Sequence, residues 1–151
     1  ENMYRFTGWR FLEMGRRLER GIQISEIAGW LCDRDAPDGA AEMLLEVGDS
    51  VMTHRRRYGY SHGGVGVVEL LIADPLNPRS AMFQITELLE QLKALPEGMV
   101  EGRLSAPARL ALKLQTELAV CDPRALTPES LARLAAEIAG IADAIAIEYF
   151  G

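Results

Sequence analysis

Apolar residues recur along the chain at spacings of three and four, the period of helices that each bury one face. The pattern predicts a first helix from about Thr7 to Leu31, with Thr7 as its N-cap. Pro37, Asp38 and Gly39 mark a turn, and a second helix is expected from Ala40 to Tyr58. The stretch 59–66 (GYSHGGVG) reads as a loop, followed by a short apolar helix from about Val67 to Ala73. Asp74-Pro75-Leu76-Asn77-Pro78 forces a corner, and Asn77 as N-cap with Pro78 at the first helical position starts a helix to about Leu95. A connector over 96–102 leads to a helix opened by Ser105 and Pro107 and ending near Val120. Thr127-Pro128-Glu129 repeats the cap-then-proline device, and the last helix carries Leu131, Leu134, Ile138, Ile141 and Ile145 as its buried stripe. No strand alternation is found. The expected fold is all-α, an antiparallel bundle of five longer helices plus one short helix.

Two helices depart from a simple amphipathic pattern. In the first, Gly15, Gly21 and Gly29 lie beside Phe11, Leu18 and Ile22. An interior glycine costs about 1 kcal/mol relative to alanine, so three on one face predict a close helix contact. The opposite face sets Arg16, Glu19 and Arg20 among Trp9, Leu12, Ile27 and Trp30. Charges interleaved with large apolar groups predict partial burial, with Glu19 paired by an arginine; the alternative is an intrahelical ladder on a solvated face. In the second helix Met43, Leu44, Leu45, Val47, Val51 and Met52 cover more than half the circumference. Asp49, Ser50, Thr53, Arg56 and Arg57, with Glu46, fill the remaining wedge. That wedge either meets Arg16, Glu19 and Arg20 in one internal network or lines an anion pocket. Arg79 lies in the expected first turn of its helix, where the dipole disfavours a cation, so an acidic partner, Asp49 or Asp74, is expected.

Length and charge narrow the function. The 151 residues suit one domain with a core of its own. A net charge of −6 argues against a protein that grips nucleic acid or an anionic membrane. No apolar run is long enough to span a membrane, and no signal peptide opens the chain, so a soluble cytoplasmic domain is expected. The opening Glu-Asn-Met-Tyr, without an initiator, reads as a piece of something longer. Fourteen of the sixteen basic residues are arginine, the side chain suited to buried carboxylates and bound anions.

The remaining motifs point away from familiar chemistry. His62-Gly63-Gly64-Val65-Gly66 lacks the preceding strand and following Lys-Ser/Thr of a phosphate loop. Neither His54 nor His62 belongs to a Glu-x-x-His pair, so no metal site and no cofactor are expected. Cys32 and Cys121 have no activating base in the pattern and read as structural. Arg55-Arg56-Arg57 reads as internally paired rather than as a nucleic-acid patch.

Four segments carry a family resemblance. Gly8–Arg20 (GWRFLEMGRRLER) resembles the GWRFLxLGRRLER motif of the bacterial alpha-E domain family. Asp49–Tyr58 (DSVMTHRRRY) is similar to its DSxMTYRxRY motif, and Asp74–Ser80 (DPLNPRS) to its DxxNPRS motif. The closing Ala144–Phe150 (AIAIEYF) looks like its AIxxxYF end. His54 stands where Tyr is usual, Gly21 where Ala is usual, and Pro75-Leu76 where Glu-Ser is usual. The resemblance implies the carboxy-terminal half of a duplicated domain, whose missing half opens with its own LGRxxERA helix. It also implies association with ATP-grasp ligases and transglutaminase-like proteins in a peptide- or amide-bond-forming system.

Two functions follow as expectations. The first is a helical interaction or accessory domain working with an ATP-grasp ligase. The second is a substrate- or anion-binding enzyme module in which Arg16, Arg20, Arg57 and Arg79 hold an anion and Glu19 or Asp49 accepts a proton, with Ser50, Thr53 and Asn77 completing the polar cluster. A homodimer, or the missing half of the domain, is expected to cover the face of Trp9, Leu12 and Trp30.

Overall fold

The computed structural model describes residues 2–32 and 68–151, and over these the protein is predominantly helical. The second predicted helix, with Asp49, Ser50, Thr53 and Arg57, and the loop 59–66 lie outside the described residues.

Helix α1 (Asn2–Leu31) begins five residues before the expected N-cap. Thr7 is therefore an interior residue; no proline or turn pair between Asn2 and Thr7 stops the helix from extending back. Met14, Leu18, Gly21, Ile24, Ser25 and Ala28 form its buried face. The buried Ser25 hydroxyl donates to the Gly21 carbonyl, 2.7 Å away, and so needs no outside partner.

A π-helical turn (Glu69–Ala73) follows, closed by the Asp74 amide donating to the Glu69 carbonyl at 3.0 Å. Leu70, Leu71 and Ile72 are all fully buried, so this short apolar element is core on every side. Helix α2 (Ala81–Ala94) then starts three residues later than its cap-and-proline signal indicates, because Ser80 and not Asn77 is the N-cap. Between α2 and the next helix lies a hairpin that the pattern did not reveal, β1 (Met99–Val100) and β2 (Arg103–Leu104), paired antiparallel. Glu101 and Gly102 both have positive φ, 51° and 76°, as a two-residue hairpin turn of the twisted type requires. Strands two residues long show no alternation to read.

The other two starts match their sequence signals. Helix α3 (Ala106–Val120) is capped by Ser105, which accepts from the Ala108 amide at 3.3 Å. Helix α4 (Pro128–Phe150) opens on a reciprocal box between Thr127 and Ser130, with Pro128 in its first turn. All five residues of its predicted stripe are buried.

The core lies where α1 packs on α4 and α2, with the π-helical turn against α1, α2 and α3. The glycine prediction holds at Gly21, where a Cβ would lie 3.3 Å from Ile138 Cδ1, tighter than ordinary contact. A Cβ on Gly29 would make an ordinary contact, 3.6 Å from Leu131 Cβ. Gly15 faces open space and takes no part. Among the described residues no helix is long and apolar enough to cross a membrane.

Candidate functional site

Buried polar side chains gather at the corner between the π-helical turn and α2. Asp74, Asn77, Ser80 and Gln84 are each at least nine-tenths buried, in a segment whose neighbours are leucine, isoleucine and methionine. Burial of such groups is tolerated only where hydrogen bonds replace water. The main chain supplies them. Asn77 Nδ2 donates to the Leu70 carbonyl at 2.9 Å, and its Oδ1 accepts the Arg79 amide at 3.2 Å. The Ser80 hydroxyl donates to the Asp74 carbonyl at 2.6 Å while capping the Phe83 amide at 3.0 Å. Asp74 Oδ1 accepts the Leu76 amide at 3.0 Å. Gln84 Nε2 donates to the carbonyls of Pro78 and Ser80, at 2.8 and 3.2 Å.

Asn77 is not the cap because its side chain is held by the Leu70 carbonyl. A π-helical turn leaves the Leu70 carbonyl to be satisfied inside the core, and Asn77 is drawn back to it. Helix α2 is then free to begin only at Ser80. Arg79 consequently precedes the cap instead of lying in the first turn, and is half-buried. Asp74, Asn77 and Arg79 each make further contacts besides those named.

Two arginines of α1 reach the α2 side. Arg17 Nη1 donates to Gln84 Oε1 at 3.1 Å, and its guanidinium carbon lies 5.7 Å from the Phe83 ring centre. Arg10 Nη1 donates to Gln91 Oε1 at 2.8 Å. Neither arginine was among the predicted site residues, nor were Gln84 and Gln91. The legible signal was Gln84 itself, a polar residue inside the run Ala81-Met82-Phe83-Gln84-Ile85, in phase with the buried positions.

The predicted cluster on α1 is placed differently. Arg16, Glu19 and Arg20 are exposed, and Arg16 Nη1 pairs with Glu13 at 3.0 Å, one turn away on the same helix. No ion pair involves Glu19 or Arg20 among the described residues. The expectation of a partly buried Glu19 held by an arginine is corrected: α1 turns its opposite side to α2 and α4, so this face points outward. Trp9, Leu12 and Trp30 share it and are 52%, 56% and 42% exposed.

Burial pushes Cys32 above the ordinary thiol range. Burial does the same to Cys121, reinforced by the Asp122 charge and offset in part by a backbone hydrogen bond. Both shifts favour the thiol over the nucleophilic thiolate. Cys121 lines a pocket of about 130 Å³ between α3 and α4, with Leu126, Ser130, Arg133, Leu134 and Glu137. That is smaller than the roughly 300 Å³ at which small-molecule sites begin. Among the described residues no three His, Cys, Asp or Glu side chains are grouped as metal ligands.

A family model described as a predicted alpha-helical domain with a conserved ER motif matches residues 1–150. The chain belongs to the Alpha-E family. Uncharacterized proteins of Mycobacterium bovis and of two Mycobacterium tuberculosis strains are 29% identical to it over 143 residues. The match covers 92% of this chain and 16% of those relatives, so this Alpha-E chain spans a small part of their length. No solved structure matches it. The sequence contains one Glu-Arg step, Glu19-Arg20. In this Alpha-E domain it stands on the open face of α1, away from the buried corner.

Proposed function

We propose that this Alpha-E domain is a helical interaction or accessory domain in a bacterial peptide- or amide-bond-forming system, working in the cytoplasm with an ATP-grasp ligase. In this reading it is the second half of a duplicated domain and forms an antiparallel bundle of five longer helices and one short one. A transglutaminase-like protein is the second partner.

One observation carries the reading. Asn77 and Ser80 of the DPLNPRS corner, with Gln84 just beyond it, bond main-chain groups of the corner and of the turn before it. They hold a fold together, and groups already committed to carbonyls and amides are poorly placed to turn over a substrate. Function then falls to exposed surfaces, where residues retained without a packing role are best explained by partners.

The test is calorimetric titration of the domain into a purified ATP-grasp ligase from the same gene neighbourhood. Saturable binding of one domain per ligase is expected. A thermal-shift screen of the domain alone against Mg-ATP, ADP, phosphate, glutamate and acidic peptides runs beside it. A ligand at a hundred times its dissociation constant adds about 2.7 kcal/mol, a rise of several degrees. Silence in the calorimeter with an anion-induced shift abolished by Arg57→Ala or Arg79→Ala overturns the proposal in favour of an anion-binding module.

A further inference from the structure

We draw no further inference here: the strongest candidate, the exposed face of α1 that carries Trp9, Leu12 and Trp30, is an open apolar surface, and nothing in the described structure shows what covers it.

Discussion

The corner at 74–84 and the outer face of α1 are two polar regions of opposite design. At the corner, polar side chains are buried, short and fixed to main-chain atoms within about 3 Å. On the face of α1 they are long, charged and open to water, flanked by tryptophans that nothing in the described structure covers. A polar residue in a family motif therefore means two things in this molecule. Asp74, Asn77 and Ser80 are marked because a buried turn needs them, whereas Glu19 and Arg20 are marked without any packing demand. Burial, not residue type, separates the residues that hold this fold from those that do not.

Substitutions at the corner should break that contrast most strongly. Asn77→Leu strands the buried Leu70 carbonyl and the Arg79 amide, and should cost about 3 kcal/mol in urea unfolding. Gln84→Met keeps the volume but removes the bonds to Pro78, Ser80 and Arg17, and should cost about 2 kcal/mol. A loss below half a kcal/mol at either position would mean that the corner is not what holds the turn.

Smaller effects belong to α1. Gly15→Ala adds a methyl to open space and should stabilise by about 0.5–1 kcal/mol, seen as a raised Tm. Gly21→Ala must displace Ile138 and should lose that gain, so the two alanines differ although both lie in one helix. Glu19→Gln should change the stability of dilute protein by less than about 0.5 kcal/mol, the ordinary range for an exposed site. A larger loss would place Glu19 within the fold and erase the comparison.

The smallest expected effect is a pH dependence on the alkaline side. Cys32, Cys121 and Tyr149 all have raised values in the folded protein, chiefly through burial, and the Glu148 charge adds to the effect at Tyr149. Each favours the neutral form on folding, so its contribution is complete below its unfolded value and is lost as pH rises through its folded one. Urea midpoints should fall slightly as pH climbs through the thiol and phenol ranges. Cys121→Ser should remove part of that slope, and an unchanged slope would discount the thiol.

Much of the architecture is legible in the sequence. Ser105 and Thr127 cap the helices that their spacing indicated, and the stripe from Leu131 to Ile145 is buried as read, because capping and amphipathic period are local properties. The start of α2 was misread for a nonlocal reason. Asn77-Pro78 is a sound cap signal taken alone, but Asn77 answers to a carbonyl seven residues back that only the π-helical turn exposes. The hairpin at 99–104 was invisible because two-residue strands carry no period. Gly98 follows the same logic, since a side chain there would collide with the Leu92 carbonyl, a neighbour known only once the chain turns back.

The sequence by itself determined that the described chain is helical, where α3 and α4 begin, and which face of α4 is apolar. These rest on hydrogen bonds and periodicities that span a few residues. Tertiary structure alone decided which face of α1 turns inward. Both faces carry apolar residues, and the wheel of one helix does not tell which will meet Ile138 and Gln84. That choice put Gly21 against α4 and left Glu19-Arg20 in water, and with it decided which residues of α1 hold the fold.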